Sequence, residues 1–203
     1  MAKAPEKNFK VLSTQPTPNP DALKFLVSGT VVLSGTKSFS SENEGDGDAF
    51  AEAIFKLPGV QSIYLNQDYV SVTKAMMEEW SDLVEPIRDV IESKLACYES
   101  GDELPATNRP ESKVSITPEE FEERSNEEKL LIVEALLDET VRPALAADGG
   151  GLIVQAVEDF IVRIHYQGAC GSCPSSTQGT LRAIEGILQK SLGSEIRVHT
   201  GII

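Results

Sequence analysis

The amino-acid sequence predicts an α+β fold of two small domains, each with a short, mainly antiparallel sheet packed against helices. Two observations carry this prediction. Both halves of the chain contain β-rich segments joined by short turns, and both contain apolar residues at helical spacing. A polar stretch with two prolines, residues 99–117, separates the two periodic regions and has the composition of a linker. We therefore predict an amino-terminal domain over residues 1–98 and a carboxy-terminal domain over residues 118–203.

The composition excludes several classes of partner. The 203 residues carry a formal net charge of -14, and 40% of them are hydrophobic. Binding to nucleic acid phosphates or to anionic membranes needs clustered Lys and Arg, so we expect neither partner. The amino terminus has neither the apolar run of a signal peptide nor the Arg-rich pattern of a transit peptide. Three cysteines are too few for a disulfide framework, so a reducing, cytoplasmic location is expected.

The amino-terminal half begins with two predicted strands, residues 11–14 and 23–27, on either side of the segment QPTPNPD. Residues 40–48 contain turn formers and acids without apolar periodicity, which indicates an exposed loop. Asp48 is a good amino-terminal cap for the helix that follows, and a Pro-Gly pair ends that helix.

A hairpin and a long helix complete this half. Residues 60–65 and 69–73 alternate around a polar turn, as the two strands of a hairpin do. Between residues 77 and 96 apolar side chains recur at helical spacing, and Pro86 is expected to bend this helix or to delay its start. Cys97 follows this pattern and is interpreted as a small, partly buried apolar residue without a role.

The carboxy-terminal half opens with an acidic helical stretch. Thr117, Pro118 and Glu120 have the spacing of a capping box with proline at the first helical position. The predicted buried stripe consists of four apolar residues, Leu130, Val133, Leu137 and Val141. The acids are assigned to the remaining, solvated faces.

The rest of this half is predicted as a three-stranded sheet with one helix. Residues 152–157 and 160–166 form a hairpin, residues 180–192 a helix, and residues 195–199 the last strand. The stretch QGACGSCPSSTQGTL begins where the hairpin ends. Cys170 and Cys173 are therefore predicted on a loop between a strand and the amino terminus of a helix.

Three kinds of site could use Cys170 and Cys173. The helix dipole and unpaired backbone N–H groups favour thiolates there, which suits a redox centre, a zinc site or an iron-sulfur site. Zinc and iron-sulfur clusters take four ligands, and the chain has no second CxxC. His165 and His199 fall in predicted strands and are interpreted as packed or exposed side chains. A second copy of the chain would complete a metal site most simply.

The redox alternative is a thioredoxin-like thiol-disulfide oxidoreductase, because CGSC is similar to the CGPC centre of thioredoxins. That fold needs a proline downstream of the cysteines, facing the disulfide, and none follows Pro174. The third alternative is a structural dimer bridged by zinc.

Two motifs of the carboxy-terminal half resemble those of a known family, the NifU-like or Nfu-type iron-sulfur scaffold proteins. RPALAADGGG is similar to the family's RPxxxxDGG turn, and GACGSCPSS to its G-x-C-x-x-C-P-S-S centre. In the other half, TQPTPNPDALKF, FKLPGVQSIYLNQDYVSVTK and WSDLVEPIRDVI resemble the amino-terminal domain of the longer Nfu proteins.

The resemblance implies a role for the two cysteines. Cys170 and Cys173 would be the ligands of a 4Fe-4S cluster that bridges two protomers of a homodimer, with a 2Fe-2S form as an alternative. The protein would receive the cluster from an upstream assembly scaffold and transfer it to apo iron-sulfur proteins, without being an enzyme. The amino-terminal domain would be an accessory for partner choice or regulation.

Overall fold

The structure is a computed structural model that describes residues 9–101, 116–171 and 174–201, without the side chains of residues 174–177. The chain divides into two compact units, Met1–Glu103 and Leu104–Ile203. Each unit contains one sheet with helices packed against it, which confirms the predicted α+β class. Most of the predicted linker lies outside the described residues, so the domain boundaries stay a prediction. Gly101, inside that linker, donates its N–H to the carbonyl of Ser34 at 2.8 Å and so contacts the first unit.

The first unit contains a five-stranded antiparallel sheet in the order β1-β2-β5-β4-β3. Its strands are β1 Val11–Pro16, β2 Ala22–Val27, β3 Thr36–Phe39, β4 Val60–Asn66 and β5 Tyr69–Lys74. Four of these strands were predicted. Strand β3 was not, because four residues at the edge of a sheet are too short to show a clear alternation.

Two α-helices, α1 Ala49–Phe55 and α2 Trp80–Lys94, share one apolar core with this sheet. Asp48 caps α1 as predicted, accepting hydrogen bonds from the N–H groups of Phe50 and Ala51 at 3.0 and 2.8 Å. The predicted loop before it contains a short 3-10 helix, Glu42–Gly45. Helix α2 includes Pro86, so the predicted delay of its start is wrong: a proline inside a helix removes only one backbone donor.

In the second unit the acidic stretch forms three helices instead of one. They are α3 Pro118–Glu122, α4 Asn126–Thr140 and α5 Arg142–Ala147. The predicted capping box at Thr117 is confirmed, and a second box, in which Ser125 and Glu128 exchange hydrogen bonds with each other's backbone, starts α4. The second box explains the break, because a capping residue takes an extended backbone conformation.

A three-stranded sheet completes the second unit, in the order β6-β7-β8. Its elements are β6 Gly150–Glu158, β7 Ile161–Gly168, helix α6 Pro174–Leu192 and β8 Arg197–Thr200. Strands β6 and β7 are antiparallel and β7 and β8 are parallel, which is the pairing that a helical crossover requires. None of the helices that the structure describes is both long and apolar enough to cross a membrane.

The prediction that the charged side chains of α4 are solvated is wrong at two positions. Lys129 is 4% exposed and Glu134 is 2% exposed. The Lys129 ammonium lies 5.6 Å from the ring centre of Phe121 and 5.4 Å from that of Phe160, which offsets the loss of water by cation–π attraction. Glu134 is paired with Arg142 at 2.8 Å. In the predicted stripe Val133, Leu137 and Val141 are buried, and Leu130 is partly buried.

Candidate metal centre

Cys170 lies in a tight turn directly after β7. The N–H of Gly171 donates to the carbonyl of Gly168 at 3.0 Å, and Gly168 has a φ of 61°, a conformation that favours glycine. The N–H of Ala169 donates to the carbonyl of Gly149 at 3.3 Å, which ties the turn to the start of β6. The turn is therefore held from both strands of the hairpin, and it presents a half-buried Cys170.

Gly150 is packed against the cysteine turn. A Cβ built on Gly150 would lie 2.7 Å from the Sγ of Cys170, 2.7 Å from the carbonyl oxygen of Gln167 and 2.8 Å from the backbone nitrogen of Cys170. These separations are shorter than van der Waals contact, so any side chain at this position would displace the turn. The sequence identified Gly149, Gly150 and Gly151 only as a helix stop, and their contact with the cysteine was missed.

Tyr166 contributes a buried hydroxyl to the same part of the unit. The residue is 7% exposed, and its Oη has no hydrogen-bond partner among the described residues. Burial, with a further contribution from the negative charge of a Cys170 thiolate, raises the pKa of Tyr166 to about 12. The hydroxyl is therefore protonated, and available as a donor, at any physiological pH.

Cys173 lies outside the described residues, so the pairing of Cys170 with Cys173 stays a prediction. Helix α6 begins at Pro174, as predicted from the suitability of proline for the first helical position. Cys97 belongs to the other unit and is exposed, so its interpretation as partly buried is wrong. It follows the end of α2, where the chain has already left the core.

The two histidines lie in strands, as predicted. His165 lies in β7 opposite Ile153, and it points away from the face that carries Tyr166 because successive strand residues alternate. His199 is exposed in β8, opposite Arg163. Within the described ranges, no group of three or more His, Cys, Asp or Glu side chains is placed to hold a metal ion.

Arg142 and Glu134 support the outer edge of β6, which has no strand beyond it in the sheet. Arg142 donates from Nε and Nη2 to the carbonyl of Leu152 at 3.3 and 3.2 Å. Glu134 Oε1 accepts from the N–H of Val154 at 3.3 Å, and the two charged groups are paired with each other. The buried pair therefore fixes the strand whose first residue is Gly150. The sequence showed Arg142 only as part of a motif.

The chemistry of this arrangement favours a soft, thiophilic ligand. Thiolates bind zinc and iron-sulfur clusters, whereas Mg²⁺ and Ca²⁺ prefer oxygen. The sulfur of Cys170 is half-buried on a turn with no side chain above Gly150, so a bulky inorganic group can approach it without displacing the core.

Two family models match the chain, one in each unit. Residues 12–97 match the model described as scaffold protein Nfu/NifU N terminal, and residues 133–199 match the NifU-like domain.

Individual relatives have similar descriptions. The chain is 30% identical over 181 residues to the mitochondrial NFU1 iron-sulfur cluster scaffold homologue of Homo sapiens, covering 89% of this chain and 68% of the relative. It is 30% identical over 179 residues to the protein of the same name from Drosophila ananassae, where it spans 88% of this chain and only 59% of the relative. The solution NMR structure of a NifU-like protein from Saccharomyces cerevisiae aligns with a TM-score of 0.39 at 27% identity, covering 49% of this chain and 90% of that one.

Proposed function

The chain belongs to the Nfu/NifU family of iron-sulfur cluster scaffold proteins, and on this basis we propose that it binds an iron-sulfur cluster and transfers it to apo iron-sulfur proteins. The position of Cys170 is the main support for this proposal. Its sulfur lies over Gly150 on a braced turn and is half-buried. A ligand at such a place can hold a cluster and still be reached by an acceptor.

We propose Cys170 and Cys173 as the ligands. Two thiolates are half of the four that a cluster usually takes, and a second copy of the chain, related by a two-fold axis, would supply the other half. The cargo would be one 4Fe-4S cluster per homodimer, with a 2Fe-2S form as the alternative. A cluster bridging two chains is exposed at the interface, which suits release better than a cluster enclosed by one chain.

The remaining parts of the proposal follow from this carrier role. The protein would have no catalytic turnover of its own, and it would receive its cluster from an upstream assembly scaffold. The amino-terminal unit would act as an accessory for partner choice or regulation. The charge of -14 argues against nucleic acid and membrane partners. We propose a cytoplasmic location from the cysteine usage, although the relatives named above are mitochondrial, and cell fractionation distinguishes the two compartments.

Anaerobic reconstitution with iron and sulfide tests the proposal. We expect broad visible absorption, four irons per dimer and a shift from monomer to dimer on loading. The loaded protein should then activate an apo-enzyme that needs a 4Fe-4S cluster, at a rate above that of free iron and sulfide.

Two other outcomes would contradict the proposal. Catalysed disulfide reduction by the metal-free monomer, without cluster binding, would indicate a thiol oxidoreductase. Stoichiometric zinc in protein purified without oxygen, together with no cluster transfer, would indicate a structural zinc dimer. Zinc alone does not decide the matter, because zinc binds strongly to exposed thiolates.

A further inference from the structure

The hydroxyl of Tyr166 is a buried polar group without an evident structural purpose. It has no hydrogen-bond partner among the described residues, although the residue is 7% exposed. A buried donor without a partner is costly, and such groups in folded proteins are few and call for a specific explanation. A phenylalanine would fill the same space without this cost. The hydroxyl therefore points to a partner that is present only in another state of the site.

The strand register places Tyr166 beside the cysteine turn. Gly150 lies opposite Gly168, and Leu152 opposite Tyr166, so Gly150 and Tyr166 are diagonal neighbours across β6 and β7. Both belong to the face of the sheet that is turned toward the core. Diagonal neighbours have backbone positions about 7–8 Å apart, a distance that an aromatic side chain spans.

The sulfur of Cys170 lies on this same face. It is 2.7 Å from the point that a Cβ of Gly150 would occupy, and Cys170 packs against the apolar cluster that includes Tyr166. The space left by the missing side chain of Gly150 thus adjoins both the sulfur and the tyrosine. The influence of the Cys170 charge on the pKa of Tyr166 is consistent with this proximity.

We propose that the Tyr166 hydroxyl donates a hydrogen bond to the sulfur of Cys170 once that sulfur has lost its proton or is bound to iron. Tyr166 is then a positioning residue for the cluster ligand. An ionised or metal-bound sulfur carries negative charge and accepts a hydrogen bond far better than a neutral thiol does. Hydrogen bonds to sulfur also set the reduction potential of an iron-sulfur cluster. The part that concerns the cluster rests on the proposed function.

The first experiment needs no cluster. In a Cys97→Ser, Cys173→Ser background Cys170 is the only thiol, and its reaction with iodoacetamide at neutral pH is followed in the full chain. Losing a hydrogen bond to the thiolate should raise the thiol pKa by about one unit, which lowers the thiolate fraction about tenfold. The more basic thiolate is about threefold more nucleophilic, so Tyr166→Phe should react about threefold more slowly.

A matched control removes a hydroxyl from the other unit. Tyr64 is also buried, and Tyr64→Phe should leave the alkylation rate unchanged. Urea unfolding checks the fold: because the Tyr166 hydroxyl has no partner in the protonated state, Tyr166→Phe should be as stable as the parent or more stable. A clear loss of stability would mean that the hydroxyl already has a structural partner, and it would overturn the inference.

The second experiment uses the reconstituted dimer. Tyr166→Phe should bind as much iron as the wild type, but its cluster should have a more negative reduction potential, because a donor near sulfur stabilises the added electron. A wild-type alkylation rate, or a wild-type potential in the loaded variant, overturns the inference. If wild-type protein binds no cluster, the proposed function fails, and the alkylation rate alone decides the role of Tyr166.

Discussion

Gly150 and Cys170 are in such close contact that a Cβ on the glycine would lie 2.7 Å from the sulfur of the cysteine. The two residues come from separate motifs, RPALAADGGG and GACGSCPSS. The hairpin of β6 and β7 brings the motifs together, since Gly150 is opposite Gly168, the residue at which the cysteine turn begins. The two motifs therefore form one structural unit, and a change in the first should be felt at the sulfur.

Gly150→Ala should separate the role of this contact from general stability. The new methyl group would meet backbone atoms on both sides, so the turn must move, at a cost of about 1–3 kcal/mol in the free energy of unfolding. We expect the folded variant to lose most of its reconstituted iron. Urea unfolding and iron content per dimer measure the two effects.

The control for this variant is Gly186→Ala. Gly186 lies within α6 and has open space around its Cα. Alanine there should stabilise the helix by about 0.5–1 kcal/mol and leave iron binding unchanged. Wild-type iron content in Gly150→Ala would contradict the steric role of the glycine.

The cysteines make a second prediction. Cys170→Ala removes half of the thiolates that one chain is proposed to supply, and it should abolish both cluster binding and cluster-dependent dimerisation. Cys97→Ala, which removes an exposed thiol from the other unit, should change neither. Size-exclusion chromatography of anaerobically loaded protein reads out both properties. Undiminished iron in Cys170→Ala would rule out the proposed site.

Much of the fold was predictable because local signals agreed with the tertiary structure. The hairpin of β4 and β5, the cap at Asp48 and the capping box at Thr117 depend only on residues near in sequence. The errors have a different origin. Strand β3 exists because β4 offers it a partner, and Glu134 is buried because Arg142 lies beside it. Neither partner can be inferred from a local pattern.

The candidate site was predictable in its chemistry and not in its packing. The spacing of Cys170 and Cys173 identified a thiolate site from residue types alone. The roles of Gly150 and Tyr166 depend on the register between β6 and β7, which a hydrophobic pattern does not specify to one residue. A glycine next to a capping motif is also expected at any helix end, so its second role was hidden.

The pH dependence of stability should include a contribution from Glu92. This carboxylate accepts hydrogen bonds from Lys10 Nζ at 2.8 Å and from the N–H of Val11 at 3.0 Å, and these bonds lower its pKa below 4.5. A lowered folded-state pKa stabilises the fold above the unfolded value, and this stabilisation is lost as pH falls through the folded value.

Glu92→Gln should therefore be less stable than the wild type at neutral pH, with the difference shrinking near pH ~3. Urea unfolding at the two pH values measures it. Glu85→Gln, on the same helix and beside Arg88 at 3.4 Å, serves as the exposed control and should show a smaller effect at neutral pH. A difference for Glu92→Gln that does not depend on pH would contradict the assignment.

The buried pair of Arg142 and Glu134 should be the most sensitive polar element of the second unit. Arg142→Met leaves Glu134, 2% exposed, without its cation and removes the donors to Leu152, so we expect a loss of about 3–5 kcal/mol in the free energy of unfolding. Arg124→Met is the matched control, because its exposed pair with Glu128 should contribute at most about 1 kcal/mol. Adding Glu134→Leu to Arg142→Met should recover part of the loss, since the unpaired charge is then gone. If Arg142→Met costs no more than Arg124→Met, the pair does not hold the edge of β6, and the bracing of the cysteine turn must come from the hairpin alone.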